Sequence, residues 1–286
     1  MKIAISAEST ADLTPELQKE YDIKIVPLSV TMGDKTVLDI DLKSTQIIDF
    51  VKETKILPKT SAVNEAQFEE FFGNILKEYD AIIHFSMSGE LSSTYDNAKK
   101  VSEKLKNVYV IDTRTLSTGI ALLAMYACKL VKKQVPIEEI VRLCEQRKND
   151  LQVSFVLKRL DFLYKGGRCN ALQLFGANLL QLRPEIILED GKMRPSKKLR
   201  GNMDICVKKY CEDILDRFNT ADLSEAFITY TTATGKMLEN AETCLKQAGF
   251  KKIHKTTAGG TITSHCGEYC LGILYINGPE PEIKVK

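Results

Sequence analysis

Short runs of continuous apolar residues alternate with longer stretches in which apolar positions recur every three or four residues, and this rhythm dominates the first half of the chain. Residues 3–6 read as a strand, followed by a helix with Thr14 as N-cap and Pro15 at its first position. Asn64 with Gln67 forms the pattern of a capping box, opening a helix that runs through Tyr79. A strand over 81–85, a helix over about 91–105 and a strand over 108–111 come next. Helices over 118–132 and 136–149 and a strand near 152–156 complete the pattern expected of a parallel sheet covered on both faces. In such sheets ligands bind beyond the C-terminal ends of the strands.

The pattern changes over 157–168, where a short helical stretch ends in Gly166-Gly167 and a further apolar helix, 171–182, follows. Segments 183–188 and 193–198 flank Asp190-Gly191, a hairpin turn signal, and helices over 204–218 and 235–248 separate further strands. The expected fold class is therefore α/β with two domains. Residues 1–156 form a parallel sheet with helices on both faces, and residues 157–286 form an α+β domain with a mixed sheet. No internal repeat or low-complexity segment interrupts either half.

Composition narrows the function classes. A net charge of +2 on 286 residues lacks the basic excess of a nucleic-acid partner, so neither DNA nor RNA is expected. No apolar run approaches the roughly 20 residues of a membrane span, and the first residues turn polar before a signal-peptide core forms. A cytoplasmic location without stable membrane insertion, and with transient membrane contact at most, is expected. The eight cysteines are scattered with no Cys-x-x-Cys pair and read as reduced, buried fillers. There is no phosphate-binding loop and no kinase signature set.

The chemistry concentrates just beyond the strands. In Ser86-Met87-Ser88-Gly89-Glu90-Leu91-Ser92-Ser93-Thr94, five hydroxyls crowd a turn where one N-cap would satisfy the first free amides of a helix. Such a turn can complete an anion site, or Ser88 or Ser92 can simply cap the helix. Lys59-Thr60-Ser61 is a second hydroxyl pair, read on its own as a turn or cap after Pro58. Ser6 to Thr10 and Ile111-Asp112-Thr113 repeat the theme, so that four polar edges can face one crevice.

Taken in order, these segments resemble the DegV family, which includes the fatty-acid-binding subunits of bacterial fatty-acid kinase. The resemblance rests on Glu8-Ser9-Thr10-Ala11-Asp12-Leu13, Thr60-Ser61-Ala62-Val63-Asn64, Leu91-Ser92-Ser93-Thr94-Tyr95, Ser117-Thr118-Gly119, Gly166-Gly167-Arg168, Arg200-Gly201 and Thr263-Ser264-His265. Glu8 stands where the family usually has Asp, Ala62-Val63-Asn64 where it has Gln-Pro-Ser, and Ser93 where it has Gly. The resemblance implies a long-chain fatty acid held in a buried tunnel, its carboxylate bound by Thr60, Ser61, Ser92 and His265. It further implies that a separate ATP-binding kinase subunit phosphorylates the carboxylate to an acyl phosphate for phospholipid synthesis, with Arg168 and Arg200 as head-group or kinase-facing cations. On this reading the chain is a monomeric carrier, with no catalytic residues, no metal and no cofactor beyond its bound lipid.

Bland alternatives attach to the same residues. Arg168 can be a cation near a helix C-cap and Arg200 a surface charge beside Lys197 and Lys198. His84, inside an apolar run, reads as a satisfied core histidine, and His254 as a strand residue at an exposed edge. His265, Cys266 and Cys270 lack the second ligand pair of a soft-metal site. Phe155, Leu160, Phe175, Leu179 and Ile273 are candidates for lining a tunnel and equally for plain core. A rival function is a serine hydrolase with Ser88 or Ser92 as nucleophile, His265 as base and Asp112 as orienting acid, although Ser86-Met87-Ser88-Gly89 lacks the leading glycine of a nucleophile elbow. A lipid transport protein with no kinase partner is a third reading.

Overall fold

A computed structural model describes residues 1–169 and 182–284. The expected helix over 171–182, with Phe175 and Leu179, lies outside the described residues except for its last position. In the first half, β1 (Ile3–Glu8), β2 (Lys24–Val26), β6 (Ala81–Ser86) and β7 (Val108–Asp112) form a wholly parallel sheet in the order β2-β1-β6-β7. Between them lie α1 (Pro15–Tyr21), α2 (Ser44–Thr54), α3 (Glu65–Ile75) and α4 (Thr94–Lys104). The local signals set the starts of two of these helices. Thr14 Oγ accepts from the Leu17 amide, and Asn64 and Gln67 make the reciprocal capping box.

A small antiparallel sheet, invisible in the hydrophobic pattern, is inserted between β2 and α3: β3 (Ser29–Met32) is flanked by β4 (Lys35–Leu38) and β5 (Lys59–Ser61). Thr60 and Ser61 thus belong to a short strand rather than to a turn or cap.

The helix α5 (Thr118–Lys132) is apolar nearly all round, as a helix buried on every side must be. It packs on β1 and β6 of the first sheet and on β8 (Leu151–Val156) and β13 (Leu271–Asn277) of a second. Its approach to β8 depends on Gly119, where a Cβ would stand 2.5 Å from Thr115 Oγ1 and 3.0 Å from Val153 Cγ2. One apolar core therefore runs through both sheets, from Ile5, Phe85 and Ile111 to Val153, Phe155 and Leu274.

The second sheet has six strands in the order β10-β9-β8-β13-β11-β12, with β9 (Arg183–Glu189), β10 (Lys192–Leu199), β11 (Ala221–Tyr230) and β12 (Lys252–Thr257). Only β11 and β12 run parallel. The helices α8 (Met203–Arg217) and α9 (Gly235–Ala248) cover its outer face over a separate cluster that includes Val156, Tyr210, Met237 and Tyr275. The helix α6 (Ile137–Arg147) precedes β8, while α7 (Asp161–Lys165) and α10 (Gly260–Cys266) are short helices at the junction of the two halves.

Sheet membership corrects one expectation. The strand over 152–156 does not close the first sheet; β8 is an inner strand of the second, paired antiparallel to β9 and β13. The sheets thus divide between α6 and β8, before Leu151 rather than after Val156. A run buried on both faces fits either sheet, and its pattern does not say which. All eight cysteines are buried and none is in a disulfide.

Candidate carboxylate site at the junction of the two sheets

The hydroxyl-rich turn after β6 is built by division of labour. Ser86 Oγ donates to the buried Glu8 carboxylate, which also accepts from the Met87 amide at 3.0 Å and from Thr10 Oγ1 at 3.2 Å. Glu8, the residue that stands for the family's Asp, thereby braces the start of the loop. Ser88 Oγ donates to the Gly191 carbonyl at 2.8 Å, tying the loop to the β9–β10 turn. Ser92 Oγ accepts from the Thr94 amide at 3.2 Å and pairs with Thr94 Oγ1 at 2.7 Å, while α4 begins only at Thr94, three residues later than the pattern predicts. Ser93, at the N-cap, gives the helix no side-chain bond.

Across the crevice, strand alternation in β5 turns Thr60 inward and Ser61 out to solvent. Thr60 Oγ1 lies 2.9 Å from His265 Nε2, a pairing of residues 205 apart in sequence. The ring is half-buried, its Nδ1 is enclosed with no hydrogen-bond partner, and it rests against Gly166, where any Cβ would overlap Nδ1. Burial, helped by the Arg168 guanidinium, pulls the His265 pKa down to about 4, so the imidazole is neutral at pH 7.

Thr60, Ser92, Ser93, Thr261, His265 and Arg168 form one polar side of a cavity of about 210 Å³ whose other walls are apolar, from Leu28, Met87 and Leu91 to Leu116, Met193 and Ile262. Arg168 is the one charged residue among the described lining positions. Its Nη1 donates to the Gly166 carbonyl at 2.7 Å and its Nε to the Leu91 carbonyl at 3.5 Å, so the guanidinium links the segment after α7 to the loop before α4. A smaller apolar void, walled by Val153, Phe155, Gly272 and Leu274, shares Leu116, Ile262 and Cys266 with the first and adjoins it beside the second sheet. The arrangement can accept hydrogen bonds from, or donate them to, one polar head and can bury an apolar tail behind it.

Of the residues singled out from sequence, Thr60, Ser92, His265 and Arg168 come together. Ser61 does not, because it faces the other side of its strand. Arg200 does not line the cavity either. It is exposed just past the end of β10, seven positions along the chain from the lining residue Met193, roughly 20 Å at strand rise. Phe155 lines the deeper void, Leu160 is core, and Ile273 points to the opposite face of its sheet beneath α8 and α9. His84 is fully buried, with Nδ1 3.0 Å from Ser6 Oγ but Nε2 without a hydrogen bond. His254 is a strand residue on the edge strand β12, but its side chain is largely covered, stacking on Phe227 and lying 3.2 Å from Glu225. No group of metal-ligating side chains occurs among the described residues.

The hydrolase triad is not assembled. His265 Nε2 is paired with Thr60, no acid meets Nδ1, and Asp112 Oδ1 instead accepts from the backbone amides of Gly89 and Arg114. Sequence reasoning missed α10 as an element, although Gly259-Gly260 ahead of Thr261-Ile262-Thr263-Ser264 marks its start. It also missed the walls Leu28, Met87, Leu116 and Ile262, which carry no signal distinguishing a cavity wall from core.

The whole chain is similar to known proteins. The family model described as "Uncharacterised protein, DegV family" matches residues 2–278. A DegV domain-containing protein from Clostridium acetobutylicum is 29% identical, with 96% of this chain and 98% of that one covered. A fatty acid-binding protein from Thermotoga maritima is 32% identical over 74% of this chain and 77% of its own length. Among solved structures, a DegV family protein from Thermus thermophilus, described by its fatty acid binding, matches with a TM-score of 0.88 at 26% identity, covering 97% of this chain and all of that one. With the family model matching all but the chain's last few residues, this chain belongs to the DegV family.

Proposed function

We propose that this protein binds a long-chain fatty acid, with its carboxylate at Thr60, Ser92 and His265 beside Arg168 and its tail in the apolar cavity and the void behind it. The observation that carries the reading is the meeting of Thr60 and His265 at the polar end of an otherwise apolar cavity. Fatty acid binding by the similar proteins from Thermus and Thermotoga supports it. The energetics fit a division of labour. Each buried methylene contributes about 0.8 kcal/mol, so a long tail supplies most of the affinity. A carboxylate entering the cavity loses water, and hydroxyls, an imidazole and one guanidinium replace it.

The finer part of the proposal is that the bound head is presented to a separate ATP-dependent kinase subunit; the absence of a phosphate loop and of kinase signatures from the sequence, and the presence of Arg168 among the cavity's lining residues, support it. Arg200, exposed and distant from the cavity, fits a docking role better than a head-group role. Arg200→Ala should leave lipid affinity unchanged and reduce acyl-phosphate formation by the kinase subunit; unchanged phosphorylation would return Arg200 to an ordinary surface charge. A protein that binds lipid but supports no phosphorylation with any kinase subunit would be a transport protein instead.

The test of the binding reading is solvent extraction of purified protein with mass spectrometry of the lipid, followed by calorimetry with added acid. Thr60→Ala and Ser92→Ala should each weaken binding by about 1.5 to 3 kcal/mol, and together by less than the sum, because both serve one carboxylate. No lipid in the extract and no heat of binding would remove the proposal.

A further inference from the structure

One ring nitrogen of His265, Nδ1, is enclosed with no hydrogen-bond partner among the described residues. Among the same residues its Nε2 pairs with Thr60 alone, and the ring is seated against Gly166, where a Cβ would overlap Nδ1. A histidine that binds a ligand usually has its second nitrogen fixed by a carboxylate or a carbonyl. Here the ring takes its place from the helix that carries it. That helix, α10, has only seven residues, too few to hold a direction by its own hydrogen bonds.

Besides its packing on α2 and α7 and the Thr263 Oγ1 bond to Ser44 Oγ at 3.1 Å, α10 is tied down at its other end by two acids. Asp12 sits in a left-handed conformation after β1, and its Oδ1 accepts from the Gly259 amide at 2.7 Å, while its Oδ2 accepts from Ser117 Oγ at 2.5 Å at the start of α5. The Asp12 carbonyl accepts from Thr256 Oγ1 at 2.7 Å. Asp39, in the turn after β4, accepts from Thr261 Oγ1 at 2.7 Å. Both acids are buried. The helix also presses on this turn through Gly260, where a Cβ would lie 3.3 Å from the Cβ atoms of Asp39 and Leu42.

We propose that Asp12 and Asp39 are positioning residues for the carboxylate site: they clamp the Gly259–Thr261 end of α10 to the first half of the molecule and so fix the His265 ring, six residues along, against Gly166 and Thr60. Gly259 lies about 9 Å from His265 at 1.5 Å per residue, and neither Asp12 nor Asp39 lines the cavity. The clamp's purpose rests on the fatty-acid reading, but its geometry does not.

The chain has three histidines, His84, His254 and His265, so proton NMR of their ring Hε1 signals follows His265 with two internal controls. The delipidated protein is titrated, which keeps the outcome independent of lipid binding. In the parent protein His265 should titrate at about 4. In Asp12→Ala the freed ring should hydrate and its midpoint rise by about one unit or more, a tenfold or larger gain in proton affinity. Asp12 holds its proton where His265 titrates, so its removal takes no charge away there and a rise reports movement of the ring. Asp12→Asn, which keeps an acceptor for the Gly259 amide, should stay within a few tenths of the parent value. Thr261→Val, which changes no charge and removes the donor to Asp39, should shift His265 in the same direction as Asp12→Ala and decides the matter alone if Asp12→Ala does not fold. A His265 midpoint unchanged in the folded Asp12→Ala and Thr261→Val variants overturns the proposal, and so does a common shift of all three histidines. Fatty acid calorimetry on the same preparations bears only on the binding reading.

Discussion

The two ends of α10 solve the same electrostatic problem with opposite groups. At the clamp, burial is the largest influence on Asp12 and pushes its pKa up to about 7, against the pull of Ser117 and Gly259, and burial likewise raises Asp39. At the cavity, burial pulls His265 down to about 4, and Arg168 adds to it. An acid that keeps its proton and a base that refuses one both leave the interior with less charge than the residue types advertise. Among the described residues lining the cavity, the one charged group is Arg168.

The sharpest way to break this comparison is a pH series on Asp12. Folded Asp12 holds its proton up to about pH 7, whereas the unfolded chain releases it near 3.8. The native state binds the extra proton between those limits, so the Asp12 contribution is full below about 3.8 and is lost as pH rises to about 7. Urea unfolding should show Asp12→Asn gaining on the parent by on the order of 3 to 4 kcal/mol between pH 4 and 7, with no further change above. Parallel curves would mean that Asp12 is ionised in the fold.

His265 should give the opposite slope. Its folded pKa lies below the ordinary 6.5, so its contribution is full above 6.5 and is lost as pH falls toward 4. His265→Gln should abolish a loss of about 2 kcal/mol over that interval in the same unfolding assay, the value being held down by the ring's partial exposure. A variant that retains the acid-side loss would place its origin elsewhere.

The smallest effect is the most discriminating for the lipid site. Thr60 and Ser61 are neighbours with similar side chains, and only strand alternation separates them. Ser61→Ala should change fatty acid affinity by less than about 0.5 kcal/mol while Thr60→Ala costs several times as much. Equal losses in the two calorimetric titrations would show that the backbone of β5, rather than the Thr60 hydroxyl, meets the ligand.

Much of the fold was legible because its signals are local. Thr14-Pro15 and Asn64 to Gln67 start helices through bonds made within four residues, and Asp190-Gly191 closes a hairpin wherever the strands are placed. The hydroxyls after β6 and the family motifs marked Thr60, Ser61, Ser92 and His265 with Arg168 and Arg200, of which Thr60, Ser92, His265 and Arg168 line one cavity. Other features left no local trace. The small sheet of β3, β4 and β5 has too few apolar positions to show a period, and Arg200 shares a motif with the family without sharing the cavity.

The sequence by itself determined the elements and their caps, since a helix start or a turn is settled by side chains within a few residues of the amides they satisfy. Tertiary structure decided which sheet received β8, which face of β5 met α10, and that Thr60 would find a partner 205 residues away. Those outcomes depend on burial and on pairings between distant segments, whose free energy exists only once the two sheets have closed on a common core.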